Sequence, residues 1–493
     1  MAKRLMIQGT MSGAGKSLLV TALCRIFAED GFRVAPFKSQ NMALNSYVTA
    51  DGLEMGRAQV AQAEAARKDA DVRMNPVLLK PSSDTGSQVI VNGIVRGQMT
   101  AAEYFAHKKQ LIPDILNAFE SLSNENDIIV IEGAGSPAEI NLRENDIVNM
   151  GLAELVNAPV LLAGDIDRGG VFAQLYGTCA LLTDAERARV KGLVINKFRG
   201  DEMILRPGLD RLKAMTGIPV IGVVPYLHVD IDDEDSLSER LGRTKTDAVI
   251  DIAVIRLPHI SNFTDFAPLE ALDLCGVRYV DRADRLGTPD LIILPGTKNT
   301  TGDLCAIRES GLEQAVIRLA NAGTPVIGIC GGYQMLGDLI TDEAGIEGSQ
   351  KEIHGMGLLP VRTAFEPKKT LTRVKGHICN GPLKGAAVEG YEIHMGETAV
   401  SGDAFCLLEN GNADGCVNGN VFGTYLHGLF DTADAAEKMA DWLCGMKGID
   451  RKTHVTESRA AYRDRQYAML AEAVRRSLDM KYLYHLLDQF IDE

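Results

Sequence analysis

The sequence predicts an α/β protein of two domains, each built on a largely parallel sheet. Three observations carry this expectation. Short, β-branched apolar runs alternate with helix-period segments over residues 1–227. The alternation stops in the acidic, polar stretch "HVDIDDEDSLSERLGRTKTD" at 228–247. It restarts at residue 251 and runs to about 446, and a chain of 493 residues is too long for one core. The expected boundaries are a first domain at 1–227, a linker at 228–250, a second domain at 251–446 and a helical, mixed-charge extension at 447–493.

In the first domain "RLMIQ", "RVAPF", "DIIVIEG", "PVLLAGD", "GLVIN" and "PVIGVVP" read as strands, each bounded by Gly, Pro, Asn or charge. The segment "SLLVTALCRIFAED" reads as a helix closed by Gly31. Between the first strand and that helix lies "GTMSGAGKS", residues 9 to 17. Strand, glycine loop and helix form a phosphate cradle, because glycines let backbone N–H groups converge on phosphate oxygens. Gly9, Thr10, Gly13, Gly15, Lys16 and Ser17 are the candidate nucleotide-binding residues. Lys16 is placed to reach the β- and γ-phosphates and Ser17 to hold Mg²⁺. The usual P-loop spacing needs Gly at position 10, where Thr10 stands; Gly9 comes one residue earlier. This longer loop resembles that of dethiobiotin synthetase. The plainer alternative is a tight turn with an incidental Gly-Lys-Ser.

A nucleotide site needs a carboxylate for its metal. Glu132, at the C-terminal end of "DIIVIE", faces the same crevice as the loop and is the candidate, with Ser17, for Mg²⁺. Asn196 ends the strand "GLVIN" and could read an adenine edge, or serve as an ordinary strand-end amide. Residues 37 to 59 follow the second strand and carry Lys38, Gln40, Asn41 and Asp51, the candidate substrate-binding cluster. Asp51 and Glu54 could hold Mg²⁺ or a substrate amide, and Lys38 could instead lie near the γ-phosphate.

In the second domain "IDIAVIRL", "GVRYV", "DLIILPG" and "PVIGI" read as strands. The last runs into Gly328-Ile329-Cys330-Gly331-Gly332 and then "YQMLGDLI", which reads as a helix. G-x-C-x-G between strand and helix is a nucleophile elbow. Cys330 is the candidate nucleophile, and the backbone at Gly331 and at Gly296 supplies candidate oxyanion donors. A thiol needs a base, and His427, ending "NVFGTYLH", is the candidate. His354, His377 and His394 read as structural.

Composition narrows the class. A net charge of −15 disfavours nucleic acid as a partner. No apolar run is long enough for a membrane span, and the N-terminus reads as a strand. Nine scattered cysteines without a C-x-x-C pair predict reduced thiols and a cytoplasmic location. No oligomeric state follows from the sequence.

The stretches "PVIGICGGYQMLG" and "GTYLHGLFD" resemble a class I glutamine amidotransferase domain of the cobyrinate-amidating type. "FKSQNMALNSYVTADGLEMGRAQ", "KPSSDTGSQVIVNG", "IEGAGSPAEINL", "GDIDRGGVFA", "INKFRGD", "PHISNFTDFAPLE" and "GYEIHMGET" resemble the cobyric acid synthase family, in order, over nearly the whole chain. The resemblance implies ATP- and L-glutamine-dependent amidation of the b, d, e and g carboxylates of a corrinoid substrate, adenosylcobyrinic acid a,c-diamide. It implies that Cys330 forms a thioester and that the phosphate site activates a corrinoid carboxylate. Most domains of this class place Glu two residues after the His; Leu429 stands there, the cobyrinate-amidating branch also lacks that Glu, and Asp431 is only a weak candidate to orient His427. The alternatives are a cobyrinic acid a,c-diamide synthase, or a P-loop regulatory ATPase with an inactive amidase-like domain.

Overall fold

The computed structural model describes residues 2–82, 86–231, 248–347, 350–451 and 458–489. The predicted linker falls mostly on 232–247, outside the described residues, and residue 250 already opens a strand, Ile250–Ile255.

The first sheet is parallel throughout. Its order is Val220–Pro225, Val190–Phe198, Val160–Asp165, Lys3–Gly9, Ile128–Glu132 and Val34–Phe37. Strands buried on both faces read as unbroken apolar runs, which is why each of these was visible in the sequence. The first strand lies between Val160–Asp165 and Ile128–Glu132. The loop after it therefore opens beside Glu132, where the chain reverses direction across the sheet and ligand crevices form. Helix Lys16–Glu29 packs Leu19, Leu23 and Phe27 beneath this sheet, and Gly31, with φ +90, closes it.

The second domain centres on the order Cys275–Val280, Ile250–Ile255, Leu291–Leu294, Val326–Ile329, Val421–Thr424 and Cys416–Asn418, parallel except for its last strand. A long antiparallel hairpin, Val361–Ile378 with Ala387–Val400, forms a further sheet with Leu426–His427 at its edge. The predicted helix "YQMLGDLI" is shorter than expected. It spans Gly331–Leu336, and Leu339–Thr341 is a strand of the hairpin sheet. The apolar spacing runs on past Gly337, but a Cβ at Gly337 would lie 2.7 Å from the Val361 carbonyl oxygen, so the chain leaves the helix there to join the sheet.

The C-terminal extension holds helices Arg459–Ser477 and Met480–Gln489, with 452–457 and 490–493 outside the described residues. Both return to the first domain. Leu470, Val474, Leu483 and Leu487 share a core with Leu19, Leu23 and Phe27 of the phosphate-loop helix. Arg25 of that helix pairs with Asp464 at 2.7 Å.

The two domains meet through residues 46–48. Ser46 N donates to Asn262 Oδ1 at 3.0 Å, and Tyr391 Oη donates to the Ser46 carbonyl at 2.9 Å. Val48 packs with Tyr391 and Ile393.

Candidate active sites

Cys330 stands between the strand Val326–Ile329 and the short helix Gly331–Leu336 with φ 53 and ψ −109. A side chain held at positive φ costs on the order of 1–3 kcal/mol and persists only where its surroundings fix it. Here the fixing contacts are close. Cys330 N donates to the Thr424 carbonyl at 2.8 Å, and a Cβ on Gly332 would lie 2.1 Å from the Leu294 carbonyl oxygen. The elbow thus forms because only glycine fits beside the neighbouring strand.

His427 ends the edge strand and lines one cavity with Cys330, whose thiol donates to the Ile393 carbonyl at 3.5 Å. Its Nδ1 lies 2.7 Å from Asp265 Oδ2, and Asp265 Oδ1 accepts from Gly428 N at 3.1 Å. Asp265 comes from the turn Phe263–Phe266 and is buried. Burial alone would lower the imidazole pKa; the Asp265 carboxylate and Cys330 outweigh it and push it up to about 10. The arrangement is a thiol, an imidazole and an orienting carboxylate in line. The sequence left the third member open and named Asp431 as a weak candidate. The structure corrects this: the carboxylate on His427 Nδ1 is that of Asp265, while Asp431 N caps the Gly428 carbonyl at 2.9 Å.

Gly296 and Gly331 both lie against this constellation. A Cβ at Gly296 would stand 2.9 Å from His427 Cε1, and one at Gly331 would stand 2.6 Å from Thr297 Cγ2. The cavity above Cys330 is lined by Asn262, Thr297, Gln334, Glu347 and His427 of the second domain, and by Lys80 of the first. His394 also borders it, with its Nδ1 3.2 Å from the Gly396 carbonyl; burial lowers its pKa to about 4, so the ring is neutral.

In the phosphate loop, Gly13 and Gly15 take φ of 76 and 89. Lys16 Nζ donates to the carbonyls of Met11 at 3.1 Å and Gly135 at 2.9 Å. The ammonium therefore arches back over the loop. Asn196 Nδ2 donates to the Ala14 carbonyl at 2.8 Å, and a Cβ at Gly15 would fall 2.0 Å from that nitrogen. Asn196 thus braces the loop, which uses its amide N–H differently from the adenine contact considered above. Thr10 Oγ1 bonds Gln174 Oε1 at 3.1 Å, and Gly9 packs against Ala14 and Lys16.

Glu132 is buried and shared. Its Oε1 accepts from Ser17 Oγ at 2.9 Å and Lys38 Nζ at 2.9 Å, and Gln62 Nε2 reaches its Oε2. Burial would raise its pKa; Lys38, with Gln62 and Ser17, outweighs burial and holds the carboxyl below its ordinary value. A buried carboxylate beside a hydroxyl at a phosphate loop fits Mg²⁺, which takes one or two protein oxygens and completes its shell with phosphates and water. No group of three or more His, Cys, Asp or Glu suited to a metal occurs among the described residues.

The predicted substrate cluster is dispersed. Lys38 joins the phosphate site. Gln40 Oε1 accepts from Tyr104 Oη at 2.7 Å, and Asn41, buried, donates to Gln59 Oε1 at 2.9 Å. Asp51 is exposed in the turn between Ser46–Val48 and Glu54–Gly56. Glu54 gives its two oxygens to Lys80 and Lys369 rather than to an open ligand position. The sequence reading missed Asp265, Gln62 and this lysine pair. Only Asp265 left a trace, as an acid flanked by Phe263 and Phe266.

Two family models match the chain. A CobQ/CobB/MinD/ParA nucleotide binding domain covers residues 5–237, and a CobB/CobQ-like glutamine amidotransferase domain covers 251–435. Among curated proteins, the chain is 57% identical to a cobyric acid synthase of Ruminiclostridium cellulolyticum, over 100% of this chain and 98% of that one. It is 55% identical to a cobyric acid synthase of Lachnoclostridium phytofermentans, over 99% and 100%. It is 53% identical to that of Alkaliphilus metalliredigens, over 98% and 99%.

Proposed function

Because the chain belongs to the cobyric acid synthase family, we infer that it amidates the b, d, e and g carboxylates of adenosylcobyrinic acid a,c-diamide to give adenosylcobyric acid. Glutamine supplies the nitrogen and ATP activates each carboxylate. The observation that carries this reading is the pairing, in one chain, of a Cys330–His427–Asp265 constellation with a Lys16–Ser17–Glu132 phosphate site. The intact constellation speaks against an inactive amidase-like domain. The full-length relatives are named cobyric acid synthases, which speaks against an a,c-diamide synthase.

In the glutaminase half, Cys330 Sγ attacks the side-chain amide carbon of glutamine. His427, whose raised pKa keeps a proton on the ring at neutral pH, is held in place by Asp265 through Nδ1; it passes that proton to the departing nitrogen as ammonia leaves and takes the thiol proton in its place. Water then cleaves the thioester to glutamate. Backbone N–H groups at Gly331 and Gly296 are the candidate donors to the oxyanion.

In the synthetase half, a corrinoid carboxylate oxygen attacks the γ-phosphorus of ATP and ADP leaves. Ammonia attacks the acyl phosphate carbon, loses a proton, and phosphate departs. A carboxylate is a poor electrophile at neutral pH, so this activation makes amide formation feasible. Lys16 neutralises charge on the phosphoryl group, and the loop backbone orients it. Ser17 and Glu132 would hold Mg²⁺, which supplies charge neutralisation when bound. Lys38, which shares Glu132 Oε1 with Ser17, adds a second cation for the transferring phosphoryl group or the reacting carboxylate. Gln40, Asn41 and Asp51 remain candidates for corrinoid contact along the same segment. The described cysteines form no disulfide, which suits a cytoplasmic enzyme, and no described helix is long and apolar enough to cross a membrane.

The test is direct. The protein is incubated with the a,c-diamide corrinoid, ATP, Mg²⁺ and glutamine, and the product is weighed by mass spectrometry. Four added amides support the reading. A product unchanged in mass, or formed only from cobyrinic acid, overturns it.

A further inference from the structure

Glu54 is completely buried, and its carboxylate serves neither site described above. Its Oε1 accepts from Lys80 Nζ at 2.8 Å, and its Oε2 is held by Lys369 Nζ. Lys80 belongs to the first domain, on strand Val77–Pro81; Lys369 belongs to the second, on strand Val361–Ile378. Lys80 also donates to Ser46 Oγ at 2.9 Å within the first domain, and Lys369 to Gln88 Oε1 at 3.3 Å, so the Lys369 ammonium is committed across the boundary. Both lysines line the cavity that holds Cys330. The wall of that cavity toward the first domain is therefore a charged, buried triad. An apolar wall would seal a boundary at lower desolvation cost, so the charge calls for a role.

The same short segment reaches the phosphate site. Strand Glu54–Gly56 runs straight into helix Arg57–Ala65, whose Gln62 donates to Glu132. The junction is stiff. Gly56 N donates to Asn75 Oδ1 at 3.1 Å, and a Cβ at Gly56 would lie 2.7 Å from both Asn41 Nδ2 and Gln59 Oε1. Glu54 and the Gln62 that donates to Glu132 thus lie on one continuous strand–helix segment, not on either side of a loose loop.

We propose that Glu54 is a coupling residue: with Lys80 and Lys369 it forms a charged gate between the Cys330 cavity and the first domain, tied to Glu132 by the segment 54–62. This rests on the glutamine-dependent reading above. Neutral ammonia can cross such a gate without a covalent step. Its lone pair accepts from a lysine N–H while its own N–H donates to Glu54, each replacing one contact of the triad. Burial pulls the Lys369 ammonium down to about 8, against the pull of Glu54.

The test compares the parent protein with Glu54→Gln and Glu54→Asp. Glutamate release is measured with and without ATP and corrinoid, together with amide formed and amidation driven by ammonium chloride. Glu54→Gln is expected to raise glutamate released per amide formed by at least about fivefold, and to remove the dependence of glutaminase on ATP. Amidation from free ammonia should be unchanged, and Glu54→Asp should restore part of the coupling. An unchanged ratio overturns the proposal. A parallel loss of ammonia-driven amidation also overturns it, since Glu54 would then serve the synthetase site. If Glu54→Gln does not fold, Glu54→Gln combined with Lys369→Met removes charge from both sides of the boundary and is read in the same way. A parent protein that never amidates the corrinoid would overturn the functional reading and this proposal together; an active parent with an unchanged ratio overturns the proposal alone.

Discussion

Asp265 and His427 meet across 162 positions of sequence to place one proton. Without the carboxylate, Nδ1 loses its acceptor and the imidazole its preferred tautomer. Asp265→Asn is expected to lower glutaminase kcat by roughly 10²–10⁴-fold, the range of a general base, while amidation from ammonia persists. A loss under threefold would remove Asp265 from the mechanism. The pair also leaves a signature in stability. The folded pKa of His427 is raised from 6.5 to about 10, so its contribution is complete below about 6.5 and fades as pH rises through 10. Thermal denaturation of the parent should therefore show Tm falling between pH 7 and 10, and Asp265→Asn should flatten that slope. Lys16 and Cys330 separate the two halves at the same scale. Lys16→Ala should stop amidation with either nitrogen source, whereas Cys330→Ala should stop it with glutamine alone. Product quantified from both sources checks the pair.

Turns, rather than helices or strands, decide where these groups point. In the elbow a methyl group on Gly332 would meet the Leu294 backbone oxygen at 2.1 Å, and backbone cannot swing aside. Gly332→Ala should cost about 1–3 kcal/mol of stability and silence the glutaminase, leaving ammonia-driven amidation. Urea denaturation and glutamate release measure the two effects, and a normal glutaminase would show that the elbow tolerates a wider turn. Such turns are legible in sequence because glycine is forced where backbone passes close by, and because a buried parallel strand announces itself just before. Glu132 ends a strand of this kind and Cys330 follows one, Lys16 and Ser17 open the helix after the glycine loop, and His427 ends a short antiparallel edge strand. Asp265 was not legible, since its partner is remote and its turn carries no periodic pattern. Gln62 and Lys369 were hidden for a related reason: a helix face and a strand position look ordinary until the remote partner, Glu132 for one and Glu54 for the other, is in place. The overlong helix after Cys330 shows the converse, an apolar spacing that persists after packing has bent the chain away.

The whole molecule is stitched at its two ends. Leu483 and Leu487 of the last helix lie in the same core as Leu23 and Phe27, directly behind the phosphate loop. Leu483→Ala removes a fully buried side chain there and should cost about 2–5 kcal/mol, with a raised KM for ATP and a normal glutaminase. Urea unfolding followed with steady-state kinetics tests this; an unchanged midpoint would mean that the C-terminal helices are only loosely attached. The second domain, by contrast, closes on its own core between Ile250 and Cys444.

That closure sets an order of assembly on the ribosome. Residues 3–225 emerge first with the flank of the helix Lys16–Glu29 bare, and the segments that cover it, Arg459–Ser477 and Met480–Gln489, emerge last. The nitrogen-releasing half can close its own core without these two helices, whereas the helix that carries Lys16 and Ser17 keeps one apolar flank bare until they dock.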